Sequence, residues 1–434
     1  MLQPGPSASY TVPMISCPIA QASQDQADTS AYISPEGALS FGDLDRLTSH
    51  WVDHLHHAQI QAGDRIAVVF PTSQDLIALI FAAWRMRASI AILNPQIPLL
   101  QLKNFLAQIQ PKYTLGLSYP THPTKDPIFQ SLLLGTSGST GVPKIAILSA
   151  SSLFANALHS IPLIPSDRWL LSLPLYHVSG IGIVLRCILA RAGIVLHKTH
   201  PEITHLSFVP TQLYRESPVY QNLKCVLLGG APIPFFSSPL PIHITYGLTE
   251  MGSMVLSRPK PPILHNQWHL GFPLHGREIR LAEDGEIWVR GLTRFNGYLE
   301  NNICIPIPKD AWFATKDIGS FDPQEGFAIL GRKDFQFICG GENIQPEEIE
   351  QHILKIPGVV EAIVIPQKDH EYGMKPLAII HSTNLSISLD EITHFLTPFL
   401  PKYKIPKALY LAPPLPKKGW KIDRQKIIST YSQR

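Results

Sequence analysis

The sequence predicts an α/β protein. A large N-terminal part carries mainly parallel sheets flanked by helices, plus a β-rich portion, and a small α+β part follows. Three observations predict this. Short apolar, β-branched runs alternate with helical spacing through the first 230 residues. After about residue 270 the pattern turns to alternating strands joined by tight turns. A smaller set of strands and helices then closes the chain. With 434 residues the chain exceeds one small core, and two or three domains are expected.

The elements follow in order. Residues 1–30 are rich in Ser, Gln and Pro and read as partly irregular. The spacing over 41–60 is helical. Then 64-DRIAVVF-70 reads as a buried strand, 74–88 as a helix and 89–95 as a strand, the signature of a parallel sheet. Further strands are expected at 145–148, 193–196, 206–210 and 224–230, with a helix over 151–161. The stretch 278-EIRLAEDGEIWVRG-291 reads as a hairpin around Asp-Gly. A second hairpin is expected over 326–341. A helix with Pro in its first turn follows at 346–356. Strands at 359–366 and 377–382 and a helix at 389–400 complete the small part. A boundary is expected near 331–335.

Apolar residues make up 45% of the chain and charged ones 16%; disorder needs the reverse balance, so most of the chain is expected to fold. A net charge of +3 without a dense Lys/Arg block leaves no nucleic-acid footprint. Five cysteines (17, 187, 225, 304 and 339) form no C-x-x-C pair. That argues against a disulfide framework and a zinc site, and fits a reducing cytosol. No basic region followed by an apolar run opens the chain, so a secretory signal is not expected. The most apolar stretch, 169–196, is interrupted by Pro174, His177, Arg186 and Arg191. It reads as buried strand and helix, not as a membrane span.

The segment 135-GTSGSTGVPK-144 concentrates Gly and hydroxyl residues beside one cation. Glycines let main-chain N–H groups approach a ligand, and successive inward N–H groups form an anion nest. Thr136, Ser137, Gly138, Ser139, Thr140, Gly141 and Lys144 together suit a polyphosphate. The pattern G-x-x-x-x-G-K-[ST] does not fit, since no Ser or Thr follows Lys144. On composition alone, a plain flexible surface loop competes with the phosphate reading.

The full string T-S-G-S-T-G-x-P-K resembles the phosphate loop of the acyl-adenylate-forming (AMP-binding) superfamily, which includes acyl-CoA synthetases, luciferases and nonribosomal adenylation domains. Further motifs resemble that family's in chain order, over roughly residues 35 to 430. The stretch 229-GGAPIP-234 resembles its adenine-lining loop, which implicates Gly229, Gly230 and Ala231. The stretch 246-YGLTEM-251 resembles Y-G-x-T-E. The resemblance implies that Tyr246 packs on adenine, with Gly247 beside it in the nucleotide site, that Thr249 bonds the α-phosphate and that Glu250 holds Mg²⁺. A hard carboxylate suits magnesium bridged to phosphates.

The stretch 315-TKDIG-319 resembles T-G-D-x-G, with Lys316 in place of Gly, and implies that Asp317 anchors the ribose. The stretch 331-GRKDFQFICGGENIQPEEIE-350 resembles the junction of the family's two domains. Arg332 would reach the ribose or phosphate, and Asp334 would be the hinge. Gly340 and Gly341 would border the coenzyme A channel. Phe335 stands where a second Asp is usual. The tail 419-GWKIDR-424 resembles G-K-I-D-R, with Trp420 inserted, and implies that Lys421 is the catalytic lysine of adenylation. The resemblance thus implies an AMP-binding domain over 1–331 and a mobile domain over 332–434, using ATP, Mg²⁺ and coenzyme A.

The stretches 173-LPLYHVSGIGIVLR-186 and 205-HLSFVPTQLYR-215 resemble those of the o-succinylbenzoate–CoA ligases of menaquinone biosynthesis. Their substrate is an aromatic dianion. Arg186 is expected to offset the non-reacting carboxylate, and a well-embedded His177 to close the pocket near the reacting one. Thr211 and Gln212 would line it. Another aryl- or acyl-CoA ligase, a stand-alone adenylation domain and an inactive homologue serving as a binding module stay open. The expected partner is a small aromatic carboxylic acid, with oligomeric state undetermined.

Overall fold

The computed structural model describes residues 17–117, 130–136, 144–215, 221–231, 233, 236, 238–264, 267–418 and 421–431. The first extended sheet has eight strands. Its order is Ser253–Pro259, Ile242–Leu248, Cys225–Leu228, His205–Phe208, Arg168–Leu170, Gly193–Val195, Ser30–Ser34 and Gly37–Ser40. All neighbours are parallel except the two outermost pairs. A seven-stranded sheet is built on parallel Ser131–Thr136, Ser89–Ile92, Arg65–Val68 and Tyr113–Leu115. Antiparallel Lys144–Ser149, Gly297–Glu300 and Ile303–Pro306 extend it. Helices Phe41–His57, Gln74–Arg85, Ala150–Leu158 and Val178–Ala190 share one apolar core with both sheets, Ile66 and Ile90 of one sheet and Trp169 and Ile194 of the other belonging to it.

Local chemistry explains the helix starts. Ser40 and Asp43 form a reciprocal capping box before the first long helix. Ser73 and Ser149 each accept a backbone N–H at later helix starts. Each such cap stabilises a helix by about 1 kcal/mol. The apolar runs read as strands are buried on both faces, as Arg65–Val68 and Ser89–Ile92 show. In the N-terminal stretch read as irregular, a helix spans Pro18–Gln26.

The β-rich portion is an antiparallel sheet ordered Arg277–Leu281, Glu286–Gly291, Phe313–Asp322, Gly326–Arg332. The first hairpin forms as read. The expected second hairpin over 326–341 does not. Gly326–Arg332 pairs backwards with Phe313–Asp322, whereas Phe337–Cys339 pairs forwards with Glu342–Ile344. A 3₁₀ turn at Lys333–Phe335 separates the two pairings. Alternation fixes which face of a strand is apolar but not which neighbour it bonds. From Phe337 onward the chain forms a small α+β unit. Its sheet is Val359–Asp369, Gly373–Ser382 and Ala408–Leu411, packed with helices Pro346–Ile353, Leu389–Leu396 and Arg424–Tyr431. Among the described residues no helix is long and apolar enough to cross a membrane. The five cysteines are free thiols.

Candidate active site

Four neighbouring parallel strands of the eight-stranded sheet end at one edge, and a predicted site segment follows each. His177 comes after Arg168–Leu170, Thr211 after His205–Phe208, Gly229–Ala231 after Cys225–Leu228, and Tyr246–Glu250 lies at the end of Ile242–Leu248. The carboxyl edge of a parallel sheet is where such folds bind ligands, because the connecting loops there are free to vary.

Tyr246 is 9% exposed, and its phenol donates to Asp317 Oδ2 at 2.7 Å. Arg332, facing Asp317 across the antiparallel register, donates to Asp317 Oδ1 at 2.9 Å and to Thr315 O at 3.1 Å. Its other nitrogen reaches Asp334 Oδ2 at 3.2 Å. Burial pushes the Tyr246 phenol well above its ordinary range, and the Asp317 charge adds to the effect. Burial alone would lower Arg332, but the Asp317 and Asp334 carboxylates more than offset it and hold it fully charged. Gly229 lies directly beside this strand. A Cβ there would sit 2.3 Å from Thr245 Oγ1, so only glycine lets the loop approach. Tyr246, Asp317 and Arg332, with the loop at Gly229–Ala231, thus converge into one corner of aromatic face, carboxylate and cation.

The segments expected to hold phosphate and metal come next. Ser131–Thr136 and Lys144–Ser149 pair antiparallel, so Thr136 and Lys144 flank the predicted loop; Ser137, Gly138, Ser139, Thr140 and Gly141 lie outside the described residues. Thr136 Oγ1 donates to Lys144 O at 3.3 Å. The Lys144 ammonium stands 4.9 Å from the centre of the Tyr298 ring, and the Tyr298 hydroxyl donates to Glu250 Oε1 at 2.7 Å. Burial and the Glu250 charge push the Tyr298 phenol far up, so it stays a donor. Lys144 and Glu250 are therefore joined through one aromatic residue that sequence reading missed. Tyr298 becomes visible only when its strand pairs with Lys144–Ser149. Thr249 and Glu250 ride a 3₁₀ turn ending at Met251, held by Phe295 N–H donating to Glu250 O at 2.8 Å. The Thr249 hydroxyl has no partner among the described residues and is available to a ligand. A single hard carboxylate fits magnesium, which keeps waters and phosphate oxygens as its other ligands.

The residues expected to face the acid differ. Arg186, on helix Val178–Ala190, is 3% exposed. Its guanidinium folds back over Gly182, where a Cβ would stand 2.9 Å from one nitrogen. It thus leans toward the helix N-terminus, as long helical side chains do. Nε donates to Ser160 Oγ at 2.6 Å, and the Trp169 ring centre lies 5.6 Å away. No carboxylate pairs with Arg186 among the described residues. Burial pushes it down to about 10.

His177 is exposed at the start of this helix, its ring centre 4.8 Å from that of Tyr176 at a tilt of 55°, rather than embedded as the sequence suggested. Its main chain makes the first turn of the helix, which places the ring outside the core. Gln212 Oε1 accepts from Val209 N–H at 3.0 Å; the Thr211 side chain lies outside the described residues.

The small unit presents Gly340 and Gly341 at the tip of its two-stranded ribbon, at φ +57° and +89°, a turn that disfavours other residues. Lys316 takes φ +62° in the place of glycine, and its ammonium reaches Asp334 at 3.3 Å. Phe335, in place of a second Asp, lies under the Arg424 guanidinium, 4.7 Å from the ring centre. Arg424 is also paired with buried Glu350. Lys421 forms a short strand with Lys418 three residues before Arg424; its side chain lies outside the described residues. A cavity of about 260 Å³ separates the β-rich sheet from the small unit, lined by Gln267, Leu330, His352 and Phe399 among others. It includes none of the site residues above.

Comparison with known proteins decides the family. The AMP-binding enzyme model matches residues 19–134 and 130–299, and the AMP-binding enzyme C-terminal domain model matches 348–419. This chain belongs to the AMP-binding enzyme family. It is 32% identical to the 2-succinylbenzoate–CoA ligase of Haemophilus influenzae, over 94% of this chain and 97% of that one. It is 34% identical to that of Escherichia coli, over 82% and 85%. Among solved structures, Escherichia coli MenE bound to an analogue of OSB-AMS superposes with a TM-score of 0.80 at 26% identity, covering 97% of this chain and all of that one. The Bacillus subtilis enzyme, in complex with its acyl-adenylate intermediate OSB-AMP, shares the fold with a TM-score of 0.81 at 23% identity, over 94% of this chain and 97% of that one. The chain is an AMP-forming acid–thiol ligase with a large N-terminal and a small C-terminal domain.

Proposed function

We propose that this chain is a 2-succinylbenzoate–CoA ligase, activating that aromatic dicarboxylate with ATP and passing it to coenzyme A. The observation that carries the choice of acid is Arg186, a buried cation without a carboxylate partner. An unpaired buried charge is costly, and a substrate carboxylate would remove the cost. The relatives at 32% and 34% identity act on this acid.

In the first half-reaction a carboxylate oxygen of the acid attacks the α-phosphorus of ATP, and the bond to pyrophosphate breaks. Tyr246 offers a face to adenine, Asp317 accepts from the ribose hydroxyls and Arg332 holds Asp317 in position. The free Thr249 hydroxyl donates to an α-phosphate oxygen. Lys144 and the loop 136–141 bind the outgoing phosphates, and Glu250 would hold magnesium, which supplies charge neutralisation there. Lys421 bridges the acid and α-phosphate, where charge builds in the transition state. His177 closes the acid pocket, and Thr211 lines it.

In the second half-reaction the thiol sulfur attacks the acyl carbon, the bond to AMP breaks and the thiol proton leaves to solvent. Gly340 and Gly341 border the thiol's channel. The domains divide at 331/332, and Asp334 is the hinge that exchanges Lys421 for this glycine face. The protein contributes position and charge rather than a covalent intermediate. Free, mostly buried cysteines suit a cytosolic setting.

The test is a panel of acids with ATP, Mg²⁺ and coenzyme A, read by pyrophosphate release and thioester mass. The 2-succinylbenzoyl thioester should dominate, and faster turnover of another acid would overturn the assignment. Lys421→Ala should cut pyrophosphate release by at least about 10²-fold while sparing thioester formation from supplied acyl-adenylate.

A further inference from the structure

Three buried polar side chains from separate elements meet behind the Thr249–Met251 turn. Asn156, on helix Ala150–Leu158, is 1% exposed, and Arg277, on the β-rich sheet, is 5% exposed. Asn156 Nδ2 donates to Met251 O at 2.9 Å and to Met254 O at 3.0 Å, pinning the chain just after Glu250. Its Oδ1 faces Arg186 at 3.5 Å, a long contact, and its main-chain oxygen accepts from Arg277 at 3.1 Å.

Arg277 is saturated by main-chain oxygens. Nε donates to Met254 O at 3.0 Å, and one terminal nitrogen donates to His159 O at 2.8 Å and His275 O at 2.7 Å. No carboxylate pairs with it among the described residues. Two guanidinium groups therefore bond the same asparagine, in a wall that holds no described counter-charge. One of them, Arg277, has every nitrogen committed. The other, Arg186, has a strong bond only at Nε.

Carbonyl dipoles can fix a guanidinium in place but do not neutralise it. Arg277 thus adds positive potential at Arg186 from a position it does not leave. Burial, and then the Arg186 charge, press Arg277 down to about 9. A single substrate carboxylate at Arg186 would relieve both.

We propose that Arg277 and Asn156 determine the selectivity of the acid subsite for a doubly charged acid. Arg277 supplies a second fixed cation that never touches the acid. Asn156 orients Arg186 and ties it to the turn bearing Thr249 and Glu250. Both are positioning residues. The proposal rests on the reading of Arg186 as the anchor of the non-reacting carboxylate.

The experiment measures kcat/KM for 2-succinylbenzoate against its analogue with the non-reacting carboxylate converted to an amide, together with KM for ATP. Arg277→Gln should lower the dicarboxylate-to-amide ratio about tenfold and move KM for ATP less than about twofold. Arg277→Lys keeps the charge and loses bonds; it should lower Tm yet keep the ratio within about threefold. Asn156→Asp places a carboxylate against Arg186 and should lower the ratio by more than tenfold. Should Arg277→Gln fail to fold, the Arg277→Lys and Asn156→Asp ratios decide alone. Equal losses on both acids in Arg277→Gln and Asn156→Asp would make the pair mere scaffold and overturn the proposal. Arg186→Gln separates the levels. If it lowers the ratio and the Arg277 and Asn156 variants do not, only this proposal falls. If it leaves the ratio flat, the assignment of Arg186 falls as well.

Discussion

The adenosine corner and the acid wall solve opposite electrostatic problems. Around Asp317 every charge has a partner: Tyr246 and Arg332 donate to its two oxygens, and Arg332 also reaches Asp334. Around Asn156 two buried cations, Arg186 and Arg277, have hydroxyl, amide and carbonyl oxygens but no described carboxylate. The first region is balanced before any ligand arrives, and on the proposed reading it would bind a nucleotide by shape and hydrogen bonds. The second is left positive and on that reading would gain its balance from the substrate. A pocket that carries its own counter-charge accepts many acids. One that lacks it penalises every acid too poor in charge.

The largest expected effect comes from removing the imbalance. Arg186→Met should raise KM for the dicarboxylate by about 10²-fold or more, since a buried charge pair is worth several kcal/mol once formed. The same variant should melt at an equal or higher temperature, because an apolar side chain of similar length replaces an unpaired buried cation. A clear fall in Tm would mean the cation is balanced in the free protein, and the contrast would vanish.

Asp317→Asn is the mirror experiment. It keeps the shape but leaves Arg332 facing an amide, so Tm should fall by the equivalent of about 1–3 kcal/mol and KM for ATP should rise roughly tenfold. An unchanged Tm would show that the corner is not held by its charges.

A pH series comes next. Burial pushes His205 down to about 4, and likewise His352 in the small domain. Their folded values lie below the unfolded one. The stability they contribute is therefore complete above about pH 6.5 and is lost as pH falls toward 4. Tm should drop by roughly 5 °C between pH 7.5 and 5. The acid wall relies on guanidinium groups, so KM for the acid should stay flat from pH 8 to 6.5. A steep fall in KM as pH drops through that window, where an imidazole gains its proton, would point to a histidine anchor.

The smallest effect is expected at Lys316. Its φ of +62° costs an L-residue about 1 kcal/mol, while its exposed pair with Asp334 returns less. Lys316→Gly should raise Tm by a degree or two and leave both KM values unchanged. A fall in Tm would give the Asp334 pair more weight than exposed ion pairs usually carry.

Much of the nucleotide side was legible in the chain because its parts are short contiguous strings whose residue types carry the chemistry. Tyr246, Thr249 and Glu250 lie at the end of one strand of the eight-stranded sheet, whose strands the apolar runs announced, and Asp317 meets Tyr246 there from a strand of the β-rich sheet. The misreadings are those of pairing and exposure. The expected hairpin over 326–341 failed because alternation does not say which neighbour a strand bonds. His177 was expected inside and lies outside, since its helix starts at the surface. Tyr298 carried no local signal at all, and its strand partner alone brings it to Lys144 and Glu250.

By itself the sequence determined the class of reaction, because the strings that resemble the family's phosphate, metal and ribose motifs are local inventories that need no distant partner to be named. Tertiary structure decided which charges stand balanced. Arg186 and Arg277 lie 91 positions apart in the chain, and only packing against Asn156 puts them in one wall. Coulomb interactions depend on distance through space and on burial, and neither is written along the chain.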